Sequence, residues 1–300
     1  MERVASAALL AVASMALAAP APAGTLDQIK QAGRVRLGYR ADARPFSFKD
    51  ETGSAAGYSA ALCLKVTEAI KADLGLASLA VEWVPVRAED RFRSVQQGQV
   101  DLLCGADTAT LSRRADVAFS IPTFPGGIGA LLRADAPARL REVLNGRRLP
   151  QAPAWRASAG QLLQTQIFSV IGGTTAEKWL ALKLNEFQLT AQMVPVDSYD
   201  SGIRQLLDRK ANVFFGDRAI LLDAAARNPA ASDLQVLDRL FTVEPLALAL
   251  ARADEDFRLA VDKALSRLYG SGEIGALYAK WFGEPSDSTL AFFRSSALPE

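Results

Sequence analysis

The sequence contains no histidine among its 300 residues. This absence excludes Ser-His-Asp and Cys-His catalysis and every metal site with imidazole ligands. The formal net charge is only +1, and no run of five like charges occurs, so nucleic acid and anionic membrane surfaces are not expected partners. The longest apolar run ends at Ala19 and is shorter than the roughly 20 residues that a membrane-spanning helix needs.

That apolar run has the layout of a secretory signal peptide. A short charged start, Met1 to Arg3, precedes it, and an Ala/Pro-rich stretch ending at Gly24 follows it. We therefore predict a signal peptide over residues 1–23 and a soluble exported protein. Small residues permit cleavage after Ala23 or after Ala18, and both remain open. The alternative is a buried N-terminal helix, for which the adjacent Ala/Pro-rich stretch is poor core material.

Cysteine is almost as scarce as histidine. Cys63 and Cys104 are the only two, an even number in a chain bound for an oxidising compartment. This predicts a disulfide, with two buried free thiols that behave as small apolar residues as the alternative. Two cysteines alone make a poor metal site, so we expect no metal and no other cofactor.

Strand-like and helix-like patterns alternate along the chain, and half of its residues are hydrophobic. Strands are predicted at 34–38, 81–86 and 100–104, with a helix over 58–74 between the first two. The same alternation restarts with a strand at 127–132 and continues to a last predicted helix at 274–282. It predicts two α/β units of about 110 residues, each with a mostly parallel sheet covered on both faces.

Residues 149–169 interrupt this alternation. The segment is rich in Pro, Ala and Gln and contains Trp155. We interpret it as an inserted loop followed by a helix from Gln161 to Phe168. It is expected to be a surface elaboration, with a functional site as the alternative.

Two turns at the ends of predicted strands are candidates for binding an anion. Residues 105–110 follow a buried strand and precede a predicted helix that carries Arg113. In open α/β sheets, ligands lie beyond the carboxyl ends of strands, where helix N-termini offer free N–H groups. Thr108 or Thr110 could cap that helix, and Arg113 could hold a carboxylate bidentately. Thr174 and Thr175 begin a second such helix, although helix capping alone explains either pattern.

Other charged and aromatic residues occupy comparable positions. Asp217 follows the apolar strand at 212–216, where it could pair with an ammonium group or cap a helix. Phe46 follows the first strand and could line a pocket or pack in the core. Arg40 and Arg91 are candidate anion contacts, with ordinary surface positions as the alternative.

Segments spread over nearly the whole mature chain resemble the extracytoplasmic solute-binding proteins of polar amino-acid ABC importers, family 3, and especially their glutamate/aspartate-binding branch. The segments that carry the resemblance are 24–27, 38–40, 45–48, 57–59, 100–105, 118–120, 173–177, 216–217, 271–274 and 280–282, together with Arg113.

The resemblance implies a two-lobe type II periplasmic-binding-protein fold with a ligand cleft that closes by hinge motion. The first lobe is expected to contain residues 24–132 and 246–300, and the second lobe residues 133–245 with the insertion 149–169. The chain would cross between the lobes near Arg133 and return near Pro245.

The resemblance also assigns roles in the cleft. The position of Arg113 takes the ligand α-carboxylate, assisted by Thr108 and by the helix start at Thr174 and Thr175, and the position of Asp217 takes the ammonium. Arg40 and Arg91 resemble the arginines that hold a side-chain carboxylate. Phe46, Asp107 and Tyr199 complete the predicted set of ligand-binding residues.

Some positions depart from the branch. Ala106 and Asp107 replace a pair of hydroxyl residues after Cys104-Gly105, Ala88 stands where a ligand-binding serine is common, and Tyr199 is near the position of a histidine in some relatives. A carboxylate at position 107 beside an anionic ligand would weaken binding unless it pairs with Arg91 or Arg114.

These features predict a monomeric, non-enzymatic periplasmic protein that captures an acidic or polar amino acid, or a related dicarboxylate. It would deliver the ligand to an ABC permease in the inner membrane. One alternative is an accessory protein that kept the lobes but lost the ligand, with the segment 149–169 as its docking surface. The other is an enzyme similar to cyclohexadienyl dehydratases, with Asp107 as general acid.

Overall fold

The computed structural model describes residues 24–146 and 157–299. The predicted signal peptide and Trp155 lie outside these residues. The helices are α1 (Thr25–Ala32), α2 (Tyr58–Asp73), α3 (Arg91–Gln96), α4 (Ala138–Leu144), α5 (Ala157–Gln164), α6 (Thr175–Glu186), α7 (Tyr199–Leu207), α8 (Arg218–Arg227), α9 (Glu255–Ser271), α10 (Glu273–Phe282) and α11 (Asp287–Ser296). The strands are β1 (Arg34–Tyr39), β2 (Asp42–Ala43), β3 (Ser47–Lys49), β4 (Ala55–Ala56), β5 (Ala80–Pro85), β6 (Leu102–Thr108), β7 (Ala118–Phe119), β8 (Phe124–Gly126), β9 (Ile128–Arg133), β10 (Ile167–Ile171), β11 (Gln192–Val196), β12 (Val213–Asp217), β13 (Leu234–Val236) and β14 (Glu244–Leu250).

The first sheet has the strand order β5-β1-β6-β14-β7, and β8 also pairs with β14. Strands β5, β1 and β6 are parallel, whereas β14 runs antiparallel to β6. Alternate residues of β6 enter different cores. Leu102 and Cys104 pack in the core that contains α2, and Leu103 packs with Val95 of α3. Both faces of this sheet are therefore covered, as the apolar sequence of β6 requires.

The second sheet has the strand order β11-β10-β12-β9-β13. Strands β11, β10 and β12 are parallel, and β9 is antiparallel to β12. Two successive residues of β12 pack on opposite faces. Phe214 contacts the ring of Tyr199 in α7, and Phe215 contacts the ring of Trp179 in α6. The predicted α/β class with two doubly covered sheets is confirmed, but each sheet is mixed, because only three of its described strands pair in parallel.

The chain crosses between the sheets at Gly127. Strand β8 ends at Gly126 in the first sheet, and β9 begins at Ile128 in the second. The return segment lies alongside, with the Ile128 amide donating to Thr242 Oγ1 at 3.0 Å. A Cβ on Gly127 would lie 2.2 Å from the Thr242 carbonyl oxygen, so only glycine permits this close approach.

Residues 128–132 therefore belong to the second sheet, and the crossing predicted near Arg133 falls before β9 rather than after it. The return, expected near Pro245, occurs where β14 begins at Glu244. An apolar run at 127–132 indicates a buried strand but not the sheet that contains it.

Other predicted boundaries also change. Strand β6 continues through Thr108, and Arg113 lies in a short 3-10 turn, Arg113–Ala115, rather than in an α-helix. The predicted helix 161–168 corresponds to α5, which ends at Gln164, and Phe168 belongs to β10. Helix α11 has no counterpart in the sequence prediction. No helix within residues 24–146 and 157–299 has the length and apolar character needed to cross a membrane.

Cys63 and Cys104 form a disulfide that joins α2 to β6. Both side chains are fully buried. Chain-entropy arguments for a loop of this length give roughly 4 kcal/mol of stabilisation. The bond anchors the strand whose last residues reach the cleft between the two sheets.

Candidate functional site

A small cavity of about 30 Å³ lies between the two sheets. Residues from both lobes line it. The eight predicted ligand-binding residues among its lining are Arg40, Arg91, Thr108 and Arg113 on the first-sheet side and Thr174, Thr175, Tyr199 and Asp217 on the second-sheet side. The cavity has space for only about one water molecule, so the cleft is closed in this conformation.

Arg113 presents a buried positive charge to this cavity. Its Nη1 donates to the Thr108 carbonyl oxygen at 2.8 Å, and its guanidinium lies 4.9 Å from the centroid of the Phe92 ring. Among the described residues, no carboxylate is within ion-pair distance of it. Burial, together with the neighbouring charge of Arg91, lowers the pKa of Arg113 to about 10, so it remains cationic at neutral pH.

Asp217 presents a carboxyl group from the opposite side. It is the N-cap of α8, and its Oδ1 accepts from the amides of Ala219 at 2.9 Å and Ile220 at 3.3 Å. Burial, and to a lesser extent the charge of Glu244, raises the pKa of Asp217 to about 7, against the effect of these two hydrogen bonds. Both roles considered for Asp217, helix cap and cavity residue, are thus compatible.

Arg91 lines the cavity but already has a partner. Its Nε lies 2.5 Å from Asp107 Oδ1, and the exposed fractions of the two side chains are 4% and 1%. The Arg91 Nη1 also donates to the carbonyl oxygen of Ala88. Asp107 itself does not line the cavity, and its Oδ2 is buried without a hydrogen-bond partner among the described residues. Asp107 is therefore paired with Arg91, one of the two arginines that the sequence analysis named as possible partners for its charge.

Arg40 is paired in a similar way. Its Nε and Nη2 donate to the two carboxylate oxygens of Asp42, at 3.0 and 2.7 Å. The Asp42 side chain is 36% exposed, whereas that of Arg40 is 7% exposed. Arg40 is therefore a buried cavity residue, not an ordinary surface arginine. Its guanidinium forms an ion pair with Asp42, which lies on the solvent-exposed side.

The two threonines of the second helix start have different roles. Thr174 Oγ1 accepts from the Glu177 amide at 3.3 Å and donates to the Ile171 carbonyl at 2.7 Å, so it acts as the N-cap of α6. Thr175 Oγ1 instead donates to Glu244 Oε2 at 2.7 Å. The capping alternative applies to Thr174, while Thr175 offers its hydroxyl toward the cleft.

Glu244 is a site residue that the sequence argument did not identify. Its Oε2 accepts from Thr108 Oγ1 at 2.8 Å as well as from Thr175. Its Oε1 accepts from Thr242 Oγ1 at 3.0 Å. The carboxylate thus joins the first lobe, the second lobe and the return segment through hydroxyl donors. Its position directly before Pro245, at the predicted return point, is the one signal in the sequence that could have suggested this role.

Tyr199 and Phe46 contrast in their positions. Tyr199 lines the cavity, is 5% exposed, and has a pKa well above its usual value, chiefly because of burial and then because of the charge of Asp217. Phe46 is fully buried and packs against Tyr58, Phe124 and Phe282 in the first-lobe core. It does not line the cavity, so core packing, the alternative considered for Phe46, describes its environment.

Acidic residues surround the cleft but do not form a metal site. Over residues 24–146 and 157–299, no cluster of three or more His, Cys, Asp or Glu side chains has an arrangement suited to a metal ion. The polar groups that converge here are guanidinium, carboxylate and hydroxyl groups. Such groups bind a small charged organic molecule by charge-assisted hydrogen bonds.

Comparison with known proteins agrees with this geometry. Residues 35–284 match the family model of the bacterial extracellular solute-binding proteins, family 3. The chain belongs to this family, as its sequence resemblance predicted.

Named relatives are amino-acid-binding proteins. The L-glutamate/L-aspartate-binding protein of Pseudomonas aeruginosa is 30% identical over 280 residues, which cover 92% of this chain and 86% of that protein. The glutamate/aspartate import solute-binding protein of Escherichia coli is 27% identical over 269 residues, which cover 89% of this chain and 82% of that protein.

Solved structures show the same fold. One is the crystal structure of the ancestral amino acid-binding protein AncCDT-1, a precursor of cyclohexadienyl dehydratase. It superposes with a TM-score of 0.69 at 24% identity, covering 87% of this chain and all of that one. The two-lobe fold predicted from the sequence is therefore confirmed.

Proposed function

We propose that this protein captures an amino acid in the cleft and delivers it to an ABC importer from the periplasm, as a monomer. The observation that carries the proposal is the pair of charges at Arg113 and Asp217. They line one cavity from opposite lobes, and among the described residues neither has an oppositely charged side chain within ion-pair distance; their hydrogen bonds go to backbone groups. A ligand with a carboxylate and an ammonium group would satisfy both.

A cleft that closes around its ligand suits this chemistry. Charge-assisted hydrogen bonds contribute about 1.5–3 kcal/mol each, so a few of them supply micromolar binding once the lobes exclude water. Thr108 and Thr175 bring hydroxyl groups to the cleft from the two lobes, and both hydroxyls donate to Glu244 in this structure. A ligand that contacts both lobes favours the closed form, because it can make both sets of contacts only when the lobes are closed.

The relatives support a binding protein over an enzyme. Their names describe binding of glutamate and aspartate or import of these amino acids. Asp107, the general acid required by the enzyme hypothesis, is ion-paired with Arg91 and does not line the cavity. A carboxylate held in that way is poorly placed to donate a proton to a ligand.

Thermal unfolding with each of the twenty amino acids at pH 8 tests the proposal. A ligand at about 100 times its Kd should stabilise the protein by about 2.7 kcal/mol. Analogues of the best ligand that lack either the α-carboxylate or the α-amino group should give no shift. If no amino acid stabilises the protein, the proposed function is wrong and the ligand-free accessory hypothesis gains support.

A further inference from the structure

The arginines that could hold an anionic ligand side chain are already occupied by carboxylates of the protein itself. Arg91 is bound by Asp107, and both side chains are almost fully buried. Arg40 is bound through two hydrogen bonds by Asp42. An arginine whose donors are engaged in this way has less to offer a second carboxylate.

The position of Asp107 makes a second carboxylate costly. It is 1% exposed, and its Oδ2 has no hydrogen-bond partner among the described residues. Water therefore does little to screen its charge, and an anionic group brought to Arg91 would experience repulsion from it at low effective dielectric. Neighbouring like charges of this kind disfavour the ionised form of the incoming group.

The charges around the cleft lead to the same result. Three guanidinium groups, of Arg40, Arg91 and Arg113, line the cavity together with the carboxyl groups of Asp217 and Glu244. Asp42 and Asp107 add two further carboxylates in contact with the arginines. A zwitterionic ligand leaves this charge sum unchanged, whereas an acidic amino acid adds a negative charge to a site with four carboxyl groups.

We propose that the ligand is an amino acid whose side chain carries no negative charge, and that Asp107 is the residue that excludes acidic side chains. This inference rests on the proposed function, because it assumes that Arg113 and Asp217 bind the α-groups. It assigns this chain a different selectivity from that stated in the names of its glutamate/aspartate-binding relatives.

Titration calorimetry of the unmodified protein with all twenty amino acids at pH 8 tests the ligand class. Glutamate and aspartate should bind at least tenfold more weakly than the tightest ligand, and no more tightly than glutamine and asparagine. A preference for either acid overturns this inference and leaves the proposed function intact. Absence of binding by any amino acid overturns both.

Asp107→Asn tests the assigned residue. Removing this charge while keeping its shape leaves Arg91 without a charged partner and removes the repulsion, so the affinity for glutamate or aspartate should rise at least tenfold relative to that for the best neutral ligand. Asp116→Asn, a change at an exposed aspartate nearby, should leave the ratio unchanged. If Asp107→Asn folds and binds the neutral ligand but keeps the original ratio, Asp107 is not the selectivity residue.

A second variant covers the case in which the buried substitution prevents folding. Asp42→Asn frees Arg40 from the solvent side and changes a side chain that is 36% exposed. It should raise the affinity for acidic amino acids by about threefold relative to neutral ones. The proposal would be contradicted if this variant kept the original ratio of acidic to neutral amino-acid affinity and the unmodified protein already bound glutamate or aspartate tightly.

Discussion

The three arginines of the cleft differ in what holds them, although they share one cavity. Arg113 donates to a backbone carbonyl oxygen and lies over an aromatic ring, so its charge is free to attract an anion. Arg40 and Arg91 are each bound by an aspartate. Two of the three guanidinium charges are therefore already paired within the protein, and a count of the arginines in the cleft does not by itself predict the charge of its ligand.

The largest expected effect is the loss of the free arginine. Arg113→Met should weaken amino-acid binding by about 100-fold or more, near 3 kcal/mol, because the ligand carboxylate would then be buried without a cation. Arg114→Met is the matched control, since this neighbouring side chain is exposed. Calorimetry measures both variants. Equal losses in the two would mean that the α-carboxylate binds elsewhere.

A smaller effect is the pH dependence of ligand affinity that comes from Asp217, the carboxyl group on the other side of the cavity from Arg113. Because the pKa of Asp217 is raised to about 7, the affinity should rise as pH increases from 5.5 to 8, by roughly 2 kcal/mol in total, since the ligand ammonium requires an ionised carboxylate. Calorimetry at several pH values measures this change. Asp217→Asn should bind weakly and without this pH dependence.

The ligand-free protein should respond to pH in the opposite direction. Between about pH 4 and pH 7, the unfolded Asp217 carboxyl is ionised while the folded one keeps its proton. The folded state then binds more protons, so the contribution of this group to the free energy of unfolding falls as pH rises. Urea unfolding of the unmodified protein and of Asp217→Asn isolates this contribution. A contribution that increased with pH would show that the folded carboxyl is not protonated.

The smallest expected effect concerns Glu244, the carboxylate that accepts from both lobes. Glu244→Gln removes a charge that raises the pKa of Asp217 and that competes with the ligand for Thr108 and Thr175. The affinity at pH 6 should therefore increase about fivefold, on the order of 1 kcal/mol, and its pH midpoint should move lower. Glu89→Gln, at an exposed position, should change neither value. Weaker binding by Glu244→Gln would show that Glu244 supports the ligand instead of competing with it.

Much of the fold could be predicted because local patterns carry it. The alternation of strands and helices, the apolar runs of β6 and β12 and the helix start at Thr174 all depend on neighbouring residues. The crossing at Gly127 could not be placed, because a buried strand such as β9 has the same sequence pattern in either sheet. Helix α11 was also missed. It begins after a short turn that follows α10, and its N-cap is Ser286, whose side chain accepts from the Thr289 amide.

The sequence alone determined which residue types meet at the ends of the strands. It placed Arg113 in a predicted helix a few residues after one strand and Asp217 directly after another, each beyond the carboxyl end of a strand, where α/β proteins bind ligands. Only the tertiary structure decided which charges are paired. Asp107 reaches Arg91 across 16 positions, and Glu244 reaches Thr108 across 136. These contacts depend on distances between separate elements, and no local pattern records those distances.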